Sequence, residues 1–386
     1  MKNLLFIHQS GDLYGSDKTL LYLLKHLDKT KFFSVVILPT DGPLKKALEN
    51  ENIKVIIAPV LKLHRKMFSI NGMYKFLFES KKAIQTIDIL HKKYNFDIIY
   101  SNTLAVLLGI YYAKKRKIKH IWHVHEIIES PWIITKLFSK LLQNNFNNHI
   151  IYNSFATSQF WNKNAALLNK SVVIWNGLES IEKIISEKQK EKIRLDFFKA
   201  NNNDVVIALI GRINNWKGHS LLLDAFEALS KHYSNIKLVF IGSAPPNQEH
   251  LIADLDHKIA NYKISEKVII IPFQEIISDF WQSIDIGVVP SIEPEPFGLV
   301  AVEAMLAKKP VVASNHGGLS EIVVDKETGF LIKPKNVDDL VNALKKLITN
   351  KDIRITFGQK GYERAIKEFS VENYTKKIEA IFDRIL

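Results

Sequence analysis

Residues 284–321 read IDIGVVPSIEPEPFGLVAVEAMLAKKPVVASNHGGLSE, and this stretch decides the fold. An apolar strand is expected at Ile286–Val289, and it stops at Pro290. A polar loop with two Glu-Pro steps follows, a helix opens around Phe297–Gly298, and a second apolar run at Pro310–Ala313 leads to a Gly-Gly turn. Strand, loop, helix and strand in this order predict a right-handed crossover unit of a parallel sheet.

The loops of such a unit lie at the carboxyl ends of the strands, where open α/β sheets bind ligands. Helix N-termini with Gly-rich entries, at Phe297–Gly298 and after Gly317–Gly318, offer backbone N–H groups to an anion, most simply phosphate. Carboxylates repel phosphate, so Glu295 and Glu303 suit the hydroxyl groups of a sugar and a ribose. Either glutamate alone is typical of a solvated or dipole-compensating helix residue. As a unit, the pattern indicates a nucleotide-sugar site.

The residues Glu-Pro-Phe-Gly-Leu from Glu295, then Glu303, then Gly-Gly-x-x-Glu from Gly317, closely resemble the donor-site signature of retaining GT-B glycosyltransferases. The resemblance is closest to glycosyltransferase family 4, or glycosyl transferases group 1. It implies an α/β fold of two Rossmann-like domains with doubly wound parallel sheets, facing each other across a cleft. It also implies hexosyl transfer from a nucleotide sugar to an acceptor hydroxyl, with retention of configuration and without a metal or other cofactor.

A second motif follows the apolar strand expected at Val205–Ile210. It reads Gly-Arg, then Lys-Gly, with Arg212 and Lys217 as its cations. The planar fork of Arg and the mobile charge of Lys both suit phosphate oxygens, although a surface pair is ordinarily just solvated. The spacing resembles the diphosphate clamp of the same family. The resemblance implies that this pair binds the diphosphate and stabilises the leaving nucleotide.

The same resemblance assigns the remaining donor contacts. Glu303 is expected to bind the ribose hydroxyls, and Glu295 to bind the donor sugar near the reacting atoms. Further expected donor contacts are Phe297, Gly298, Leu299 and the backbone amides around Gly317 and Gly318.

The first half of the chain has two weaker signals. The turn at residues 11–19 fits neither the dinucleotide fingerprint nor the Walker loop, and a plain turn into a helix at Leu20–Leu27 is one interpretation. It also resembles the first loop of the family-4 enzymes, which implies that Gly15 lies near the donor diphosphate and the acceptor. His125 ends a strand and is expected, by the resemblance, to contact the donor sugar, with His123 as its competitor. We see no further ligands that would make this His pair a metal site.

A length of 386 residues fits two domains. The expected bounds are 1–178 for an acceptor-side domain and 179–368 for a donor-binding domain. Residues 179–200 are read as a charged linker with a first helix, and 369–386 as a helix that in GT-B proteins crosses back to the first domain. The absence of cysteine excludes disulfides and thiolate metal sites. No signal peptide or membrane-spanning apolar run of about 18 residues is visible, so a cytoplasmic protein is expected.

The positive charge is concentrated in the first half. Residues 1–180 hold 25 Lys and Arg against 12 Asp and Glu, whereas residues 181–386 hold 28 of each. Two stretches, Leu61–Ile84 and Pro131–Leu142, combine basic and aromatic residues as interfacial helices do. In the second stretch the expected membrane anchors are Trp132, Leu137, Phe138 and Leu141. The alternative is a core-facing helix with a solvated basic face.

The charge excess favours peripheral association of the first domain with the anionic inner face of a membrane. A lipid-linked acceptor, as in the synthesis of surface polysaccharide or lipopolysaccharide, would follow. Two other functions are weighed: a nucleotide-sugar epimerase on the same scaffold, which needs no acceptor, and a basic nucleic-acid-binding protein. The latter predicts steeply salt-dependent binding and leaves Glu295 and Glu303 unexplained, so no nucleic-acid partner is expected. The sequence does not choose between UDP and GDP donors.

Overall fold

The computed structural model describes the backbone of residues 1–61 and 70–386 and the side chains of residues 1–61 and 78–386. The chain divides into two compact units. One comprises Met1–Glu179 with Ser370–Leu386, and the other comprises Ser180–Phe369. Each unit is built on one parallel sheet with helical connections, which confirms the predicted fold class.

The first unit has a seven-stranded sheet with the order β3-β2-β1-β4-β5-β6-β7. Its strands are β1 (Lys2–His8), β2 (Phe32–Leu38), β3 (Lys54–Ile57), β4 (Ile98–Asn102), β5 (Lys119–Val124), β6 (His149–Tyr152) and β7 (Ser171–Val173). The connecting helices are α1 (Gly15–His26), α2 (Pro43–Asn50), α3 (Ile70–Tyr94), α4 (Leu108–Arg116), α5 (Trp132–Gln143), α6 (Phe155–Trp161) and α7 (Ala165–Leu168).

The second unit has a six-stranded sheet with the order β10-β9-β8-β11-β12-β13. Its strands are β8 (Val205–Ile210), β9 (Ile236–Ile241), β10 (Val268–Ile271), β11 (Ile286–Val289), β12 (Val311–Ser314) and β13 (Gly329–Ile332). Its helices are α8 (Glu187–Asp196), α9 (His219–Ser230), α10 (His250–Asn261), α11 (Ser278–Ser283), α12 (Leu299–Leu306), α13 (Leu319–Ile322), α14 (Val337–Thr349) and α15 (Lys351–Glu368).

Both faces of the first sheet are buried, which explains why its strands are continuous apolar runs. Along β1, Leu4 and Phe6 belong to one core cluster, whereas Leu5 and Ile7 belong to the cluster on the opposite face. The last helix, α16 (Val371–Ile385), packs in the first of these clusters with Tyr374, Ile378, Ile381 and Phe382. This apolar face accounts for the periodicity of the C-terminal segment.

The strand order fixes where each unit can bind a ligand. The order reverses between β1 and β4 in the first unit, and between β8 and β11 in the second. At such a reversal the two loops that leave the carboxyl ends of the central strands diverge to opposite faces of the sheet, and a crevice opens between them. The loops after β8 and β11 are the two in which the sequence places its donor motifs.

Several helical assignments differ from the sequence-based prediction. Helix α1 begins at Gly15 rather than Leu20, and the Tyr14 N–H donates to the Asp17 carboxylate at 2.8 Å in its first turn. The charged segment from residue 179 becomes helical only at Glu187, where Ser186 and Gln189 form a capping box. Helices α10, α11 and α15 of the second unit were not predicted.

Candidate active site

The two loops at the reversal point of the second sheet are joined to each other. The loop between β8 and α9 carries Arg212 and Lys217, and the loop between β11 and α12 carries Glu295. The Ile292 N–H donates to the carbonyl oxygen of Trp216 at 2.8 Å. The fold therefore brings the two sequence motifs together, although 78 residues separate Lys217 from Glu295.

Lys217 and Glu295 form a largely buried ion pair. The Lys217 Nζ lies 2.6 Å from Glu295 Oε1, and the two side chains are 15% and 6% exposed. Ser291 Oγ donates to the same carboxylate oxygen at 2.5 Å. The Lys217 ammonium also lies 4.5 Å from the centre of the Trp216 ring. Because the cation is mostly removed from bulk water, its electrostatic interactions are stronger than those of a surface lysine.

Two glycines allow the backbones of these loops to approach closely. Gly218 has φ +81°, and a Cβ atom there would lie 2.1 Å from the carbonyl oxygen of Pro290. Gly317 has φ +59°, and its Cβ would lie 2.3 Å from the carbonyl oxygen of Glu295. The Gly318 N–H donates to that Glu295 oxygen at 2.7 Å. The Gly318 amide therefore holds the loop, although the sequence analysis expected it to face a ligand.

The helices that begin at the site differ in length. Helix α9 follows Gly218 and has 12 residues, and α12 follows Gly298 and has eight. Helix α13, which follows Gly318, has four residues. A single turn aligns few peptide dipoles, so the second Gly-rich helix N-terminus expected from the sequence offers little field to an anion.

The remaining predicted donor residues lie along α12 and at the end of β8. Glu303 is half-buried in α12, and Trp281 Nε1 donates to its Oε2 at 3.4 Å. Leu299 is half-buried, and Phe297 is buried with its ring centre 5.9 Å from that of Phe369. Arg212 is half-buried two residues beyond β8. The Phe297 side chain is thus part of the core.

The first unit places its own polar residues at the reversal point of its sheet. His125 is buried one residue beyond β5, and its Nε2 lies 2.9 Å from Asn102 Oδ1. The His123 and His125 rings are in contact, with their centres 3.9 Å apart and their planes tilted by 44°. Burial lowers the pKa of His123 to about 3, and burial with the charge of His123 lowers the pKa of His125 well below its usual value. Gly15 is exposed as the first residue of α1.

Several polar residues at these strand ends were not predicted from the sequence. In the second unit they are Ser291, His316, which donates from Nε2 to the Ser291 carbonyl oxygen at 2.9 Å, and Asn214, whose Oδ1 accepts from the Lys217 N–H at 3.0 Å. In the first unit they are His8, Asp17 and Asn102. A polar residue directly after an apolar strand was the available signal for His8 and Asn102, since both end buried strands.

The expected membrane stretches have different outcomes. Residues 62–77 lie outside the described side chains. In α5, Trp132 and Ile133 are 68% and 61% exposed, and Leu137 is also exposed. Phe138, expected as an anchor, is buried against Trp161, so that part of the prediction was wrong. Helical periodicity places Phe138 about 120° around the helix axis from Trp132.

The described residues carry neither a cluster of metal-ligating side chains nor a membrane-spanning helix. Among them, no three His, Cys, Asp or Glu side chains are grouped so that they could hold a metal ion. No helix in the described part of the chain has the length and apolar character needed to cross a membrane.

This arrangement can bind an anion together with hydroxyl groups. Lys217, Arg212 and the N-terminus of α9 supply positive charge and N–H donors at one loop. Glu303 supplies a carboxylate that accepts from hydroxyl groups. Cations and a helix N-terminus at the reversal point of a parallel sheet are features with which α/β proteins bind phosphorylated ligands.

The comparisons with known proteins identify the family. The model for glycosyl transferases group 1 matches residues 190–364, and the model for glycosyltransferase family 4 matches residues 14–180. The capsular polysaccharide biosynthesis glycosyltransferase CapM of Staphylococcus aureus is 25% identical over 368 residues, which cover 93% of this chain and 92% of that protein. A lipopolysaccharide 1,2-N-acetylglucosaminetransferase of Salmonella typhimurium is 35% identical over 179 residues, covering 45% of this chain and 47% of that one.

A solved structure is also similar to this protein over its whole length. Anabaena HepE in complex with UDP-glucose matches with a TM-score of 0.85 and 25% identity over 100% of both chains. The protein is a glycosyltransferase with the GT-B fold and belongs to glycosyltransferase family 4.

Proposed function

We propose that this glycosyltransferase moves a hexosyl group from a UDP- or GDP-sugar to an acceptor hydroxyl, with retention of configuration and without a metal ion. The observation that carries the proposal is the buried Lys217–Glu295 pair beside the N-terminus of α9. Lys217 and Arg212 would bind the diphosphate and neutralise the leaving nucleotide, which makes a divalent cation unnecessary. The HepE complex with UDP-glucose supports UDP as the first candidate.

Each remaining residue has a role in this proposal. Glu303 binds the ribose hydroxyls, and Glu295 binds the donor sugar while it orients Lys217. His125 contacts the donor sugar, and the Gly15 backbone reaches the sugar or the diphosphate. Further donor contacts come from the backbone around Phe297, Gly298, Leu299 and Gly317.

The donor is tested by thermal stabilisation with UDP-, GDP-, ADP- and CMP-sugars. A ligand at one hundred times its dissociation constant raises the free energy of unfolding by about 2.7 kcal/mol. We expect a shift with one nucleotide, and we expect Glu303→Ala and Arg212→Ala to lose it. Glu293→Ala is the matched control, because Glu293 is exposed in the same loop as Glu295. Stabilisation that persists in Glu303→Ala and Arg212→Ala would contradict the assigned donor site.

For the acceptor we propose a lipid-linked oligosaccharide at the cytoplasmic face of an anionic membrane. The named roles of CapM and of the Salmonella enzyme support polysaccharide or lipopolysaccharide synthesis. The charge excess of residues 1–180 supports an anionic surface. Helix α5 adds exposed Trp132 and Ile133 beside exposed Lys136.

Membrane binding is tested by flotation with vesicles. We expect the protein to bind anionic vesicles at moderate salt and not to bind neutral ones. Replacing Trp132 and Ile133 together with alanine removes apolar area that is exposed in the fold, so stability is retained and vesicle binding weakens. Ile355→Ala, at a residue that is 59% exposed in the second unit, is the control and should bind as before. Equal binding by both variants would contradict the role of α5.

The family assignment argues against the epimerase and the nucleic-acid-binding protein. Product analysis separates the epimerase from the proposed reaction, because an epimerase changes the sugar nucleotide without any acceptor. Formation of a new glycosidic bond only when an acceptor extract is added supports transfer.

A further inference from the structure

Three neighbouring strands of the first sheet end in polar residues at one edge. In the parallel register, Asn102 at the end of β4 lies opposite His8 at the end of β1 and opposite His123 in β5. His125 follows one residue beyond β5. Because the register is fixed by the apolar residues behind it, these side chains are brought together by the fold itself.

A continuous chain of hydrogen bonds runs along this edge. His8 Nε2 lies 2.5 Å from Asp17 Oδ1, and His8 Nδ1 lies 2.9 Å from Asn102 Nδ2. Asn102 Oδ1 lies 2.9 Å from His125 Nε2. All four side chains are buried. Asp17, in the first turn of α1, is thereby connected to His125 through two intervening side chains.

The direction of donation along the chain can be deduced from its ends. Burial raises the pKa of Asp17, but hydrogen bonds from His8, Ser10 and Tyr14 together lower it further, so the pKa lies below its ordinary value. An ionised carboxylate only accepts, so His8 Nε2 donates to Asp17. The carbonyl oxygen of Ser16, 3.3 Å from Asn102 Nδ2, accepts from that amide nitrogen. The amide nitrogen therefore faces His8, whose Nδ1 accepts.

The protonation of the His125 ring follows from the orientation of the Asn102 amide. With its nitrogen toward His8, Asn102 presents its oxygen to His125, so His125 Nε2 must carry a proton and donate. Burial keeps the pKa of His125 well below its usual value, so the ring is neutral and its other nitrogen, Nδ1, is unprotonated. A neutral imidazole in this tautomer can accept a hydrogen bond only at Nδ1.

The backbone directly after Asn102 is strained. Thr103 is β-branched and has φ +87°, a conformation that such residues rarely adopt. It is held by its N–H, which donates to the His123 carbonyl oxygen at 2.9 Å, and by its own carbonyl oxygen, which accepts from Trp122 Nε1 at 2.8 Å. Strain of this kind persists only where the surrounding structure determines the conformation.

We propose that Asp17, His8 and Asn102 are positioning residues that hold His125 in the Nε2-protonated tautomer, so that its Nδ1 accepts a hydrogen bond from a hydroxyl group of the sugar substrate. The proposal rests on the role of His125 in the proposed function. It adds that His125 recognises a sugar hydroxyl as a hydrogen-bond donor, and that the loop carrying Gly15 and Asp17 controls this recognition from a distance.

A nearly isosteric substitution at Asp17 should reverse the direction of donation along these hydrogen bonds. In Asp17→Asn, the carboxamide oxygen is expected to keep the bond from the Tyr14 N–H, which is 2.8 Å long in the natural side chain, so the new NH₂ group faces His8. His8 Nε2 then accepts, its Nδ1 donates, and the Asn102 amide turns over to accept that bond. The Asn102 nitrogen now donates to His125 Nε2, and the His125 proton moves to Nδ1.

Nitrogen NMR of protein labelled in its histidine rings measures this directly, because protonated and unprotonated ring nitrogens of a neutral imidazole resonate far apart. The His125 signals are identified by their absence in His125→Gln. We expect Nε2 protonation in the natural sequence and a change toward Nδ1 protonation in Asp17→Asn. Asp12→Asn, in the same turn but exposed, is the matched control and should leave the tautomer unchanged. Nδ1 protonation in the natural protein, or no change in Asp17→Asn, overturns the proposal.

A second substitution provides the rescue. In Asp17→Asn combined with Asn102→Asp, a carboxylate at position 102 accepts from both His8 Nδ1 and His125 Nε2, so the original tautomer of His125 should return. We expect kcat/KM for sugar transfer to fall about tenfold in Asp17→Asn, as for the loss of one buried hydrogen bond, and to recover in the double variant. A tautomer change without any change in activity would remove His125 from the sugar site and overturn that part of the proposal, while the hydrogen-bonded chain itself would stand.

Discussion

Replacing Lys217 with methionine is expected to lower kcat/KM for sugar transfer by about a hundredfold to a thousandfold, as removal of one preorganised electrostatic group does in other enzymes. The same change should destabilise the second unit by about 3 kcal/mol, because it leaves a buried carboxylate without its cation. Glu295 is the carboxylate concerned, and its side chain is 6% exposed. Steady-state kinetics measures the first effect, and denaturant unfolding measures the second.

The two effects can be separated by a double variant. Lys217→Met with Glu295→Gln removes both charges, and the carboxamide oxygen at position 295 can still accept from Ser291, which donates to Glu295 at 2.5 Å. We expect this variant to regain most of the lost stability but none of the activity. If stability stays low, the unpaired charge was not the cause. If Lys217→Met transfers sugar at the natural rate, the proposed clamp on the diphosphate is wrong.

A surface pair of equal length serves as the control. Lys231 and Glu227 also lie 2.6 Å apart, but the lysine side chain is 63% exposed. Exposed pairs contribute about 0–1 kcal/mol, because water screens them and their side chains lose entropy. Lys231→Met should therefore change neither activity nor stability by a comparable amount, which isolates burial as the reason for the effect at Lys217.

The central elements of the second unit could be predicted because their signals are local. The strands Ile286–Val289 and Val205–Ile210 were predicted with the bounds that the structure shows. The first apolar run ends at Pro290, and the second ends at Gly211. Helix α14 (Val337–Thr349) has a local signal of the same kind, since an apolar stripe follows the Asn336 cap. In each case the apolar residues lie within the element, and the residue that ends or caps it lies directly beside it.

Helix α15 could not be predicted from a local apolar pattern, because Gly358 and Gly361 interrupt its apolar periodicity. A Cβ at Gly358 would lie 2.1 Å from the carbonyl oxygen of Lys308, and one at Gly361 would lie 3.3 Å from Met305 Cγ. These glycines let α15 pack closely on α12 and on the turn that follows it. In the sequence these glycines are only two helix-weakening residues. The close contact that requires them is with residues about fifty positions earlier in the chain.

The site was predictable as a set of residues but not as a set of contacts. Sequence reasoning gave Lys217 to the diphosphate and Glu295 to the sugar, yet the structure pairs them with each other. That pairing follows from the strand order, which sets the loops after β8 and β11 side by side. Strand order depends on long-range pairing, for which a single sequence carries little signal. The same holds for the Asp17–His8–Asn102 chain, whose members come from three elements.

The first unit carries a set of buried histidines that should make it sensitive to acid. Burial is the leading cause in each case: it lowers the pKa of His120 to about 4 and of His123 to about 3 from 6.5. Burial with the nearby charge of Arg384 lowers that of His149 to about 4. His125 shifts in the same direction. The second unit has one such residue, His219, with a pKa lowered to about 3.

Acidification from pH 7 is therefore expected to unfold the first unit before the second. These bases have pKa values that are lower in the folded chain, so the unfolded chain binds protons as the pH falls below about 6.5 while the folded chain does not, until the pH approaches about 4. Within that window each histidine lowers the free energy of unfolding by about 1.4 kcal/mol per pH unit, so four of them outweigh the single one in the second unit. Hydrogen exchange followed by mass spectrometry, between pH 7 and about pH 5, should show earlier loss of protection in residues 1–179 than in residues 180–369. Simultaneous loss in both units would mean that these histidines do not control the stability of the first.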